Sequence, residues 1–383
     1  MYLEPPTSTP ESEIRSRIRA TQEALAASGS DVLVGYADCW RTANVRYYTD
    51  FRPVDGVHGI AQAVVVVPRS GDPLLFAGDG CVDYARSETL FDVDTLDALP
   101  GSLARLRAGG SEQFVLAGVE QIPVGLHAAI TDAVAPAQLR PTDLLARLKA
   151  VKSPWEVEQL RRAARLTDLA MEAVREVVQG GRAVTEREVA MAADVAMIQA
   201  GADTPAYLSM VQAGARSAFS LALPTNRVIE AGDLVLTDIG ARYGNYVADG
   251  GRGFVFGPAS DQVRDIVETA ADAVEAGLAA ARPGISASEL NAVVAGVLLE
   301  RGYGPFSGEA RGRGTGHGTG MDPEEEMPWI GPTNEALIES GSVFTLKATI
   351  NVPEVGGLRT ERIVHLADSG LETLDFFPMR NYW

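Results

Sequence analysis

Two periods of apolar and polar positions run through the chain, and the switches between them mark its elements. Helical spacing covers residues 11 to 28, and Asp31-Val32-Leu33-Val34-Gly35-Tyr36 then reads as a strand. A second strand is expected over 60 to 67, ending at Pro68, and 73 to 76 restarts the pattern after a turn. Strands and helices alternate in this way to about residue 148, the pattern of a small α/β domain. Ser153 is then placed to cap a helix whose first turn holds Pro154, where a missing N–H costs nothing. That helix should reach about Val178, and helical spacing returns over 185 to 200, 260 to 281 and 286 to 302. Strand-like runs at 233 to 241, 246 to 256, 342 to 351 and 357 to 366 make the second half α+β, with helices grouped apart from antiparallel strands. The pattern therefore predicts two domains, 1–148 and 149–383, and shows no repeat of solenoid period.

Composition narrows the partners. A net charge of −18 opposes phosphate backbones and anionic bilayers, so neither a nucleic acid nor a membrane is an expected partner. Cys39 and Cys81 are too few for a disulfide framework, no apolar run approaches the roughly 18 residues of a membrane span, and the amino terminus lacks a basic opening. A cytoplasmic location is expected. The chain holds three lysines against thirty arginines, and one of the three, Lys347, lies inside the strand-like run 343 to 350. By two-residue alternation Val343, Thr345, Lys347 and Thr349 share one face of that strand, and Phe344, Leu346, Ala348 and Ile350 the other. Lys347 thus points to the polar side. Edge lysines that deter aggregation are the plainer explanation of such a residue.

Residues 234–242 and 246–254 flank the turn-prone Tyr243-Gly244-Asn245 and read as a hairpin. With Tyr243-Gly244 as the two-residue turn, Asp238 falls directly opposite Asp249, their Cβ atoms about 4.5–5.5 Å apart. Like charges so placed call for a cation between them, a divalent metal or a charged side chain; the other reading is that one aspartate is solvated at the hairpin end.

At this hairpin the chain resembles the pita-bread family of creatinase, prolidase, aminopeptidase P and methionine aminopeptidase. The resemblance extends over essentially the whole chain. It is carried by Asn44-Val45-Arg46-Tyr47-Tyr48-Thr49-Asp50-Phe51, by Lys152-Ser153-Pro154-Trp155-Glu156-Val157, and by the run from Asn226 to Asp238. It implies an α/β N-terminal domain followed by an α+β pita-bread catalytic domain, and a homodimer acting on a small molecule. The family's metallopeptidases hold two metal ions with two aspartates, a histidine and two glutamates. Carried over residue by residue, the resemblance puts Asp238, Asp249, His317 and Glu361 at ligand positions.

The pattern then fails in an informative place. The remaining glutamate position is Lys347, the position of a second histidine seven residues after His317 is Glu324, and that of a histidine upstream of the Asn226-Arg227 motif falls near Leu221. The family geometry implies that Asp238, Asp249 and Glu361 serve the first metal, and His317 with the missing glutamate the second. An ammonium has no lone pair for a metal, so Lys347 should replace the second ion electrostatically. Three carboxylates and one ammonium leave two negative charges, which one divalent ion balances. The expectation is a site with one divalent ion or none. Creatinase works without metal but lacks the aspartates kept here.

Candidate roles follow. Lys347 and Glu324 are the catalytic candidates, although the acidic run 324 to 326 also reads as a solvated loop. Arg359, on the strand face of Glu361, could grip a carboxylate with its fork of donors. The resemblance also implies that Arg52, Asp55 and His58 reach a neighbouring subunit's pocket, a plain surface loop being the other reading. His127 and His365 are taken as structural. The alternating glycines from Gly312 to Gly320 should let backbone pass close to the site, since they lack the Gly-Lys-Ser/Thr ending of a phosphate loop. The leading function is an atypical hydrolase of a C–N bond in a small amino-acid-derived substrate, of the kind found in specialised metabolism. A lyase or cyclase on the same pocket, a catalytically silent binding protein and an Xaa-Pro aminopeptidase or dipeptidase are the alternatives.

Overall fold

A computed structural model describes residues 3, 4, 6–54, 61–219, 221–308 and 312–381. The chain forms two compact units, one of residues 7–149 and one of 150–383 joined by residues 1–6. Asp55 and His58 lie outside the described residues.

The first unit contains α1 (Glu11–Ser28), β1 (Val32–Asp38), α2 (Ala43–Arg46), β2 (Gln62–Pro68), β3 (Leu74–Ala77), α3 (Val82–Ser87), β4 (Val93–Thr95), α4 (Leu99–Ala108), β5 (Gln113–Ala117), α5 (Val124–Val134), β6 (Gln138–Pro141) and α6 (Leu144–Ala150). Its six strands form one mixed sheet in the order β4-β3-β2-β1-β5-β6. The middle strands β1 and β2 are apolar almost throughout, as strands covered on both faces must be. Val32, Val34, Val64, Val66 and Phe114 pack on one face against Leu99, Leu103, Ile130 and Val134 of α4 and α5.

The second unit begins with α7 (Pro154–Gln179) and α8 (Glu186–Gln199). Both open on capping boxes, Ser153 with Glu156 and Thr185 with Glu188, each satisfying two otherwise unpaired backbone donors. Then come β7 (Thr204–Pro205), β8 (Met210–Ala213), β9 (Leu234–Ile239), β10 (Ala241–Tyr243), β11 (Tyr246–Val247), β12 (Gly250–Val255), α9 (Asp261–Ala280), α10 (Ala287–Glu300), β13 (Gly316–Gly318), β14 (Glu325–Ile330), β15 (Ser342–Val352), β16 (Gly356–Ala367) and β17 (Gly370–Thr373). Sheets β12-β9-β8 and β14-β13-β15-β16-β17 carry the strands of interest, and all their pairings are antiparallel. Phe344, Leu346, Ala348 and Ile350 of β15 are buried with Ile266, Ala270 and Val274 of α9 and Leu290 and Val294 of α10. That leaves the odd-numbered face of β15, with Lys347, to the polar side. Within the described residues no helix is long and apolar enough to cross a membrane.

The hairpin departs from its expected register. Asp238 pairs with Gly251 and Tyr243 with Tyr246, so the turn is Gly244-Asn245 and Asp249 is not directly opposite Asp238. Gly244 has φ +60°, which suits the first central position of a type II′ turn, and this selects the later of two adjacent turn candidates. Moving the turn by one residue displaces opposite partners by two, so both aspartates keep to the same face.

Candidate active site

Four strands bring the acidic and basic candidates of the second unit together, and each does so through strand parity. β9 carries Asp238, the segment before β12 carries Asp249, β13 carries His317, and β15 and β16 carry Lys347 and Glu361, which are directly paired across the ladder. Thr349 and Arg359 form the next pair on the same face. Gly316 and Gly318 allow the close approach around His317: a Cβ on them would fall 2.4 Å from the Thr345 carbonyl oxygen and 2.0 Å from that of Met327.

On the hairpin side both aspartates are hydrogen-bonded, although Arg359 Nε is buried without a partner. Arg359 Nη1 donates to Asp238 Oδ2 at 2.5 Å, and its Nε lies 3.8 Å from Glu361 Oε1. Burial works to lower the Arg359 pKa, but the charges of Asp238, Glu361 and Asp249 outweigh it and the guanidinium is held more firmly charged than usual. The Tyr207 hydroxyl stands between the two aspartates, 2.7 Å from Asp238 Oδ1 and 2.6 Å from Asp249 Oδ1. It has one proton for two carboxylates. Burial, then the charges of Glu361 and Asp238, pushes the Asp249 pKa well above the usual carboxylate range.

On the other side the groups are buried and unpartnered. His317 is fully buried; its Nδ1 lies 3.1 Å from the Gly318 carbonyl oxygen, which selects the Nδ1–H tautomer. The Nε2 lone pair then faces Asp249 Oδ2 at 3.4 Å without a hydrogen bond between them. Burial, then the Lys347 charge, holds the His317 pKa well below its ordinary value. Neither oxygen of Glu361 has a hydrogen-bond partner, and burial, then the Asp238 charge, pushes its pKa up to about 7. Ligand-capable atoms of Asp249, His317 and Glu361 lie within 4.8 Å of one another. Lys347 is 8% exposed, and the carboxylate nearest its ammonium is Glu324 Oε1 at 3.8 Å, which also lies 3.7 Å from His317 Nε2.

Glu324 extends from a turn fixed by its neighbour. Glu325 forms a buried ion pair with Lys152 (2.6 Å) and accepts the Met321 N–H (3.0 Å). All three lysines of the chain are buried: Lys149, Lys152 and Lys347. Leu221, at the position of the family's upstream histidine, is exposed. Arg52 belongs to the first unit, in the extended segment after Phe51.

Tyr207 was invisible to pattern reasoning. It sits in a short loop without period between β7, which pairs with β10, and β8, which pairs with β9, and the Ala206 N–H bond to the Gly240 carbonyl draws the loop onto the hairpin. Arg359 faces the polar side as alternation requires, but its Nη1 is bonded to Asp238 and its Nε is enclosed beside Glu361.

The arrangement has clear relatives. The chain is 30% identical over 340 residues to an uncharacterized peptidase, YqhT, of Bacillus subtilis (strain 168), covering 88% of this chain and 92% of that protein. It is 33% identical over 233 residues to an Xaa-Pro dipeptidase of Pyrococcus furiosus, which spans 61% of this chain and 65% of that protein. Among solved structures, a prolidase from Thermococcus sibiricus superposes with a TM-score of 0.85 at 24% identity, covering 98% of this chain and 100% of that one. These likenesses bear out the creatinase, prolidase and aminopeptidase P resemblance and its pita-bread fold. With residues 158–368 matching the family's own pattern, the chain belongs to metallopeptidase family M24.

Proposed function

We propose that the protein hydrolyses a C–N bond in a small amino-acid-derived substrate, using a site that holds one divalent ion at most. The observation that carries this reading is the Lys347–Glu361 pair: an ammonium stands directly across from Glu361, where the two-metal members of the family need a carboxylate. Charge supports it further. Asp238, Asp249 and Glu361 bring three negative charges and Lys347 and Arg359 two positive ones, so the buried site is one charge short of neutral. A single divalent ion overshoots that, and two would leave three positive charges in a buried site, at a heavy desolvation cost.

The residues fit one ion. Asp249, His317 and Glu361 are the convergent set, His317 already donates its other ring nitrogen to a carbonyl as metal-binding histidines do, and both Glu361 oxygens lack partners. This differs from the set expected from the resemblance, because Arg359 and Tyr207 occupy both oxygens of Asp238. A bound ion supplies Lewis acidity toward a substrate carbonyl. Lys347 supplies fixed positive charge to the pocket, and Glu324, exposed to solvent at the rim, is placed to relay a proton between solvent and the reacting nitrogen. Without an ion, protons retained by Asp249 and Glu361 do the neutralising.

Metal analysis of the purified protein tests the reading: one tightly held ion per chain or none is expected, and two would end it. Lys347→Glu should raise the stoichiometry to two. Turnover is sought with dipeptides, Xaa-Pro dipeptides, guanidino acids and cyclic amides, with and without divalent metal. Cleavage confined to Xaa-Pro dipeptides would make this chain functionally equivalent to its Pyrococcus furiosus relative. Silence throughout, with ligand-dependent thermal shifts, would favour a binding protein.

A further inference from the structure

The two cations of the site differ in how far they are committed. Arg359 is held by a short hydrogen bond from Nη1 to Asp238, while its Nε is enclosed without a partner 3.8 Å from Glu361 and is closed to solvent. Lys347 makes no hydrogen bond among the described residues although it is 8% exposed; its one ion-pair contact is Glu324 Oε1 at 3.8 Å, beyond hydrogen-bonding distance. Glu324 in turn is 59% exposed on its side chain and makes no hydrogen bond of its own. The Lys347 Nζ is reached by solvent although the side chain is only 10% exposed, and its three donors call for an acceptor that no described residue supplies. A loose, solvent-facing carboxylate at 3.8 Å meets that demand only in part.

We propose that the Lys347 ammonium is the binding point for an anionic oxygen of the substrate, a carboxylate in the class of N-acylated amino acids, and that Glu324 is the displaceable counter-ion that occupies its field in the free protein. The backbone around Glu324 stays fixed while its side chain is free to swing, because the neighbouring Glu325 is anchored to Lys152 at 2.6 Å and to the Met321 N–H. The incoming carboxylate exchanges one negative charge for another, so the charge of the site is unchanged when Glu324 turns to solvent. This inference rests on the hydrolase reading of the same pocket and assigns the substrate's charged group to Lys347 rather than to Arg359.

The test compares N-acetylglycine with its carboxamide, two probes that differ in one negative charge, by calorimetric titration of the purified protein with and without chelator. The carboxylate should bind at least about tenfold more tightly than the carboxamide. Chelation should leave that preference intact, Lys347→Met should abolish it, and Glu324→Gln should strengthen carboxylate binding several-fold by removing the competing anion. Glu324→Gln alters an exposed side chain, so its folding is secure even where Lys347→Met proves unstable. Equal or absent binding of the two probes, weaker carboxylate binding by Glu324→Gln, or a preference that survives Lys347→Met but not chelation would each overturn the proposal. Release of acetate, the product common to both probes, is followed in the same samples. Carboxylate binding without cleavage would count against hydrolysis of this class and leave the anion site standing; cleavage indifferent to charge would do the reverse.

Discussion

The two sides of the site are built from the same kinds of residue and yet stand in opposite states. On the hairpin side, Asp238 has both oxygens bonded, one to Arg359 and one to Tyr207. On the side formed by β13, β15 and β16, the Glu361 carboxylate and His317 Nε2 are buried without hydrogen-bond partners among the described residues, and the Lys347 ammonium, which solvent reaches, has none either. Saturated groups hold geometry; unsaturated ones retain the free energy of a hydrogen bond still to be made. The contrast assigns structural support to the first side and ligand contact to the second, a division that neither side's residue types announce.

Mutating one cation on each side breaks or upholds that division, and the largest effect is expected on the saturated side. Arg359→Met leaves Asp238 buried without its counter-charge, and breaking such a pair typically costs about 3–5 kcal/mol. Adding Asp238→Asn should recover most of the loss. Lys347→Met, which removes no hydrogen bond, should cost a small fraction of it. Urea unfolding followed by circular dichroism measures all three, and equal losses at the two positions would erase the distinction between the sides.

The carboxylates that face His317, Asp249 from the hairpin and Glu361 from β16, should show themselves next in the pH dependence of the metal-free protein. Asp249 and Glu361 have raised pKa values in the fold, Glu361 at about 7, so the native state binds more protons than the unfolded chain between the ordinary carboxylate pKa and about 7. Stability therefore falls as pH rises through that window. Chelated protein should melt at a higher temperature at pH 5.5 than at pH 8. Divalent metal should reverse the order, since it binds the deprotonated carboxylates and releases their protons. His317, whose pKa is lowered by burial, works in the opposite direction, so Asp249→Asn and Glu361→Gln are compared with the parent: a pH dependence that neither changes would show that these two groups are not held protonated.

How far the chain itself disclosed this site depends on the kind of fact. Face assignment was legible, because strand alternation alone sends Lys347, Arg359 and Glu361 to one side and Phe344, Leu346 and Ile350 into the core beneath α9 and α10. The helix starts were legible from Ser153-Pro154 and its Glu156. Partner choice was not. Parity says which face Arg359 occupies but not that Asp238, 121 positions away, will take its guanidinium. Nor does any pattern place Tyr207, whose position depends on a loop contact with Gly240. The lysine at 347 was the strongest signal because it violated an expectation attached to a specific position, and the structure adds that all three lysines are buried.

The hairpin register was the one local prediction that failed, and it supplies the mildest way to sharpen the comparison. Tyr243-Gly244 and Gly244-Asn245 are both plausible two-residue turns, and propensity hardly separates them. The left-handed φ of Gly244, +60°, settles the matter in favour of the second. Gly244→Ala should therefore cost about 1–2 kcal/mol through backbone strain, with a further contribution from its new Cβ, which would sit 3.4 Å from Pro6 Cβ. Asn245 has no left-handed φ, so Asn245→Ala should be close to neutral at the backbone. Asn245 is buried and its side chain contributes on its own account, so the thermal melt of Gly244→Ala alone is the readout: a variant that melts with the parent would show that the turn does not need a left-handed residue there. With the observed register, the strain of Gly244→Ala stays at the hairpin tip. Metal stoichiometry should then be unchanged, because the carboxylates are aligned by Tyr207 and Arg359 and not by the turn.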